Sequence, residues 1–214
     1  MTETRNKKVR VYETLKKRII NVELKPGLPI NESTFAEDLG VSKTPVREAL
    51  RQLERDGFVD SVPGRGSAIT HITTNEIKDV FQIREIIETS VAARAALIKG
   101  NEELANIRDD FKVLMDSGQA YDEVVFEWGS FEDVHFALVR SLENEMLQTM
   151  YEGLMDRALR IRNHFGQRFT QRRFHDILTE HLAILNAVFE GNSEKASANM
   201  MAHLANASTY VLGL

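Results

Sequence analysis

The stretch Gly40-Val41-Ser42-Lys43-Thr44-Pro45-Val46-Arg47-Glu48-Ala49-Leu50-Arg51-Gln52-Leu53-Glu54-Arg55-Asp56-Gly57 decides how the N-terminal part of the chain folds. Val46, Ala49, Leu50 and Leu53 recur at three- and four-residue intervals, which is the period of one buried helix stripe. Lys43, Arg47, Arg51 and Arg55 fall on the opposite face. Ser42 stands where an N-cap is needed, Pro45 is tolerated in the first turn, and Gly57 ends the helix. Just upstream, Asn31 can cap a shorter helix with Glu32 in its first turn and Phe35, Ala36 and Leu39 facing inward, closed by Gly40 in a left-handed conformation. Two short helices joined by the tight Gly40-Val41 connection form a helix-turn-helix, and the second has the shape and charge to enter a major groove.

The pattern extends in both directions. Before it, Val11, Leu15, Ile19 and Val22 make one buried stripe of a helix expected to run until Pro26-Gly27. After it, Phe58–Val62 and Ser67–Thr70 read as two strands around Pro63-Gly64-Arg65-Gly66, a hairpin with an arginine at its tip. Helix, cap, basic helix and basic hairpin in this order specify a winged helix over residues 1–72.

Composition is consistent with this reading once charge is located along the chain. The 214 residues carry 27 Lys+Arg against 32 Asp+Glu, a formal net charge of -5. Residues 1–72 hold 13 basic and 10 acidic side chains, so the basic excess is N-terminal and the remainder is acidic. With 43% hydrophobic residues the chain has enough apolar material for a packed core, which excludes wholesale disorder. The absence of cysteine excludes disulfides, thiolate metal sites and a cysteine nucleophile. Met1–Lys8 is polar and charged, unlike a secretion signal, and no apolar run approaches the roughly 18 residues of a membrane span, so a cytoplasmic location is expected.

The quoted stretch, together with Glu32–Leu39, Gly57-Phe58-Val59 and Gly64-Arg65-Gly66, resembles the operator-binding domain of the GntR family of bacterial transcription regulators. The resemblance covers nearly all of residues 10–70. It implies contact with double-stranded operator DNA through Ser42, Lys43, Thr44, Arg47, Arg51, Gly64, Arg65 and Gly66. Lys43 stands where the family commonly has arginine, keeping the charge but losing the planar fork that reads guanine in two bonds. Ser33 replaces an arginine found in some relatives.

Residues 73–214 show few strand signals and long helical periodicities, punctuated by Gly100, Gly118, Gly166 and Gly191. About six helices of typical size fit this length, giving a mainly α protein with a C-terminal all-α bundle. Arg84 and Glu88, His135 with Asn144, Glu180-His181 and His203-Leu204 resemble the FadR-like branch of the family with its FCD effector domain.

The histidines can also be placed by counting. If Gly191-Asn192 turns an antiparallel helix pair, His181 and His203 both lie roughly 15 Å from the turn and come level. With His135 from another helix they would make a facial three-nitrogen site for Zn or Ni, or else the polar lining of an effector cavity. The family's metal-binding members place an acid four residues before the first histidine. Here that position is Phe131, and Glu132 is the acid that could reach in. Arg84 suits either a carboxylate ligand or a salt bridge to Glu88 one turn on. Among the other candidates, Arg157, Arg160 and Arg162 crowd one helix with some expected to face solvent, while Trp128 and Met200-Met201 suit core or dimer packing.

Together these features point to a ligand-responsive repressor that binds a palindromic operator as a homodimer. Its effector, a small organic acid, would be held by Arg84, His135, His181 and His203, and residues 71–78 would act as a hinge. The alternative from another class is a metal-dependent hydrolase on the same three histidines, with Glu132 as its general base.

Overall fold

The structure is a computed structural model and describes residues 2–62, 66–117, 132–165 and 170–213. The chain divides into two compact units, residues 1–74 with 156–165, and residues 75–155 with 166–214.

In the first unit, α1 (Thr2–Ile20) turns Val11, Tyr12, Leu15 and Ile19 inward, where they share one core with the two following helices. The helix stops at Ile20, short of the expected Pro26-Gly27, because Val22 takes a left-handed backbone (φ 59°). Leu24 then fills the core position expected of Val22. Asn31 caps α2 (Glu32–Asp38) by accepting from the Ser33 and Thr34 amides, and Gly40 adopts the left-handed conformation with φ 63°. α3 (Lys43–Arg55) buries Pro45, Val46, Ala49, Leu50 and Leu53. Ser42 occupies its N-cap position, but its hydroxyl makes no capping bond, in contrast to the role expected of it.

The hairpin strands are β2 (Val59–Val62) and β3 (Gly66–Ile69), each shifted by a residue from the expected bounds, with Val59 opposite Ile69 and Ser61 opposite Ser67. On the other side of β3 lies β1 (Pro29–Ile30), giving a three-stranded antiparallel sheet in the order β1-β3-β2. β1 was not anticipated, since two residues carry no readable alternation. Proline is accommodated there because an edge strand need not donate on its outer side.

Residues 156–165, the second half of a helix introduced below, complete this unit. Arg160 is 1% exposed; it donates to the Thr70 hydroxyl at 2.8 Å and also to the Thr70 carbonyl. Arg157 donates to the Asp56 carbonyl at 2.6 Å, and both guanidinium groups lie over the Phe58 ring. Asn163 donates to the Ile20 carbonyl at 2.9 Å, and Lys16 pairs with Asp156. Of the three arginines expected to crowd this helix, one is fully buried and the other two half-buried.

The second unit is built on α4 (Thr74–Leu97), α5 (Glu102–Ser117), α6 (Glu132–Arg140), the first half of α7 (Glu145–Phe165), α8 (Gln171–Phe189) and α9 (Ser193–Leu212). These are six helices among the described residues, matching the sequence expectation. α8 and α9 form a hairpin turning at Gly191 (φ 72°), with Asn192 capping α9 by accepting from the Lys195 amide. α5 packs on both α8 and α6. Met200 is fully buried in the core and Met201 is exposed. Trp128 lies outside the described residues. No helix among the described residues is long and apolar enough to cross a membrane.

Because truncating buried Arg160 strips two charge-assisted bonds from half-buried Thr70, Arg160→Ala is expected to destabilise the first unit by about 2 kcal/mol. Urea unfolding of the full chain followed by circular dichroism would measure the loss as a lowered midpoint.

Candidate functional site

α3 stands on its buried apolar stripe and presents Ser42, Lys43, Thr44, Arg47 and Arg51 to solvent. The Arg47 guanidinium is held by both carboxylate oxygens of Glu32, at 2.8–3.1 Å. Those hydrogen bonds keep the Glu32 carboxyl below the usual carboxylate range. Sequence reading placed Glu32 in the first turn of α2 and missed this contact, which joins the two helices of the motif across their exposed side. Of the expected wing residues, Gly66 opens β3 and is exposed, while Gly64 and Arg65 lie outside the described residues.

In the second unit His135 from α6, His181 from α8 and His203 from α9 are all buried and converge. Their ring centroids are 4.5–5.2 Å apart, and one nitrogen from each ring lies within 4.8 Å of the others. The Nε2 atoms of His181 and His203 are separated by 3.3 Å. Ligands of a tetrahedral zinc ion bound at 2.0–2.1 Å lie roughly 3.4 Å apart, so a small contraction of the cluster would accommodate such an ion. The remaining histidines, His71, His164 and His175, are exposed and outside the cluster, as expected.

Carboxylates back two of the rings. Glu88 Oε2 lies 2.7 Å from His135 Nδ1, and Arg84 donates to the same carboxylate at 2.6 and 3.4 Å. Glu180 Oε2 lies 2.7 Å from His203 Nδ1, and the same carboxylate accepts from Arg173 on both oxygens and from Asn206 on Oε1. Phe111 stacks on His181.

The electrostatics suit neutral rings at His181 and His203. Burial pushes His181 well below the usual imidazole range, with neighbouring His203 and His135 adding to the effect. Burial likewise brings His203 down to about 4, against the opposing pull of Glu180. Burial alone would raise Glu88, yet the charge of Arg84 and the hydrogen bonds from Arg84 and His135 outweigh it and hold the carboxyl far below its ordinary range. Glu180 is lowered in the same way by His203, Arg173 and Asn206. Neutral imidazoles offering lone pairs are what a divalent metal requires, so the donor set fits such an ion. Phe131 and the side chain of Glu132 lie outside the described residues, so the described donors are three nitrogens. Arg84, considered as a ligand anchor or a structural partner, is found buried on Glu88.

Comparison with known proteins fixes the family. Residues 7–69 match the model described as bacterial regulatory proteins, gntR family, and residues 79–206 match the FCD domain. The chain belongs to the GntR family. It is similar to the HTH-type transcriptional regulator YdhC of Bacillus subtilis (strain 168), with 31% identity covering 90% of this chain and 85% of that one. Among solved structures, a GntR transcriptional regulator from Rhodococcus sp. RHA1 superposes with TM-score 0.77 at 23% identity, covering 97% of this chain and 98% of its own. The Zn2+-bound FCD domain of TM0439 superposes with TM-score 0.54 at 23% identity, covering 66% of this chain and 95% of that one. A winged helix followed by a helical FCD domain is therefore the architecture, and this GntR protein is a transcriptional regulator. Its family and relatives are regulators and not enzymes, so the hydrolase alternative has no support.

Arg84→Met would leave Glu88 buried with His135 as its remaining described partner. Breaking a buried ion pair from one side is expected to lower stability by about 3 kcal/mol, measurable as a reduced urea midpoint at unchanged slope.

Proposed function

We propose that this GntR protein is a ligand-responsive repressor that binds a palindromic operator as a homodimer and is released or retained by a small organic acid. The observation that carries the reading is the exposed basic face of α3 in a chain that also buries three converging imidazoles. Ser42, Lys43, Thr44, Arg47 and Arg51 contact DNA, with Gly64, Arg65 and Gly66 of the wing reaching the backbone or the minor groove. Arg47 and Arg51 are the side chains suited to read guanine, since a guanidinium can make two parallel bonds to one base edge, and Arg47 would exchange Glu32 for the base as it does so.

A palindrome needs two heads related by a two-fold axis, and one head alone offers little contact area. Dimerisation through the second unit meets that need. Ile83, Ile86 and Leu97 of α4 are exposed apolar side chains, of the kind a second copy would cover.

The effector site is built on His135, His181 and His203, with the buried charge of Arg84 nearby. A divalent ion such as Zn or Ni, held by the three histidines, would supply the positive charge that an acid ligand needs. The Zn2+-bound FCD domain of TM0439 supports this assignment by analogy of fold. Effector occupancy then shifts the population between forms that match and mismatch the operator half-sites.

The DNA assignment is tested with duplexes selected from a random pool by the wild-type protein. Arg47→Ala is expected to weaken binding to the selected duplex by about 1–3 kcal/mol while light scattering still reports a dimer. Unchanged affinity would overturn the assignment of α3. For the metal, elemental analysis of protein purified without a nickel column or chelator is expected to find stoichiometric zinc or nickel, lost on His203→Ala.

A further inference from the structure

Two chains of contacts converge on the histidine centre, and they have the same order. Arg84 holds Glu88, which faces Nδ1 of His135; Arg173 holds Glu180, which faces Nδ1 of His203. They come from different helices, the first running from α4 to α6 and the second from α8 to α9. Each carboxylate is fixed by more than its histidine, since Arg84 bonds Glu88 through two nitrogens and Glu180 also accepts from Arg173 and Asn206.

A neutral imidazole carries its proton on one nitrogen only, and the hydrogen bond made by the other decides which. An ionised carboxylate can only accept. A carboxylate oxygen 2.7 Å from Nδ1 therefore requires the proton on Nδ1, and Nε2 is left with its lone pair. For His203 this has a further effect. Its Nε2 lies 3.3 Å from Nε2 of His181, and two lone pairs at that distance repel, so His181 must present Nε2–H to it.

We propose that Glu88 and Glu180 are positioning residues that lock His135 and His203 as Nδ1–H tautomers, and that His181 is the ring that exchanges its tautomer when an ion enters. The last part rests on the reading of the centre as a metal site. Before the ion arrives, His181 donates Nε2–H to His203; with an ion on Nε2 of all three rings, the His181 proton resides on Nδ1. The ring stays neutral in both states, so the proton changes nitrogen without a change in the charge of the centre. Arg84 and Arg173 act one step further out by fixing the carboxylates.

The test uses the full-length protein labelled with 15N-histidine, stripped by chelator and then titrated with zinc, and long-range 1H–15N NMR to read each ring's tautomer. The expected result for the stripped protein is Nδ1–H for His135 and His203 and Nε2–H for His181, with His181 passing to Nδ1–H as zinc binds. Nε2–H on either His135 or His203 in the stripped wild type would overturn the proposal, and this needs no variant to fold. Glu180→Gln, with its helical content checked, is expected to weaken zinc binding by about 10–100-fold in competition with a coloured chelator. Wild-type zinc affinity in that variant would overturn the role of Glu180. Should the wild type take up no zinc while His135 and His203 show the expected tautomers, the metal reading falls and the positioning roles of Glu88 and Glu180 are upheld.

Discussion

The hairpin of α8 and α9 turns at Gly191, and that turn fixes which residues of the two helices lie level. With a rise of about 1.5 Å per residue, a one-residue change in the turn would move one ring along its helix by that amount and rotate it by about 100°. His181 would then lose His203, and Glu180 would lose His203 and Asn206 together. The left-handed backbone at Gly191 and the Asn192 cap secure the register. The same hairpin supplies two of the three imidazoles and one of the two backing carboxylates, so the buried polar centre depends on it more than on any other local feature.

How much of this could be read from sequence follows from how each feature is encoded. The α3 stripe of Val46, Ala49, Leu50 and Leu53 is periodic, and its complement, Lys43, Arg47 and Arg51, is exposed by necessity. The level pair His181 and His203 could be found by counting from a turn. Glu88 and Glu180 were visible as neighbours of Arg84 and His181, but their partners His135 and His203 lie 47 and 23 residues away, a separation no period records. The bond from Arg47 to Glu32 is hidden for the same reason: it joins two helices across 15 residues. β1 is too short to alternate, and the early end of α1 hangs on the backbone of a single residue, Val22, whose β-branched side chain gives no hint of a positive φ.

Arg160 was hardest to place, because arginine on a long helix is by default a surface residue. Its burial is tolerable because the guanidinium meets the hydroxyl and carbonyl of Thr70 and the face of Phe58. A buried cation that donates to a hydroxyl and a carbonyl and lies over an aromatic ring adds directional demands that an aliphatic side chain would not, and so fixes where that stretch of helix lies on the base of the wing.

That arrangement bears on how such regulators can be recombined. The DNA-reading unit is discontinuous in sequence, closed by a segment about eighty residues further on. A chimera spliced after the wing, joining this head to a foreign sensor, would uncover Phe58 and orphan the carbonyls of Asp56 and Ile20 unless the graft carried residues 156–165 or their equivalents. Natural shuffling faces the same obstacle. Heads and sensors exchanged between paralogues would have to bring matching surfaces for that segment, a constraint that ties the two halves of the gene to a shared history.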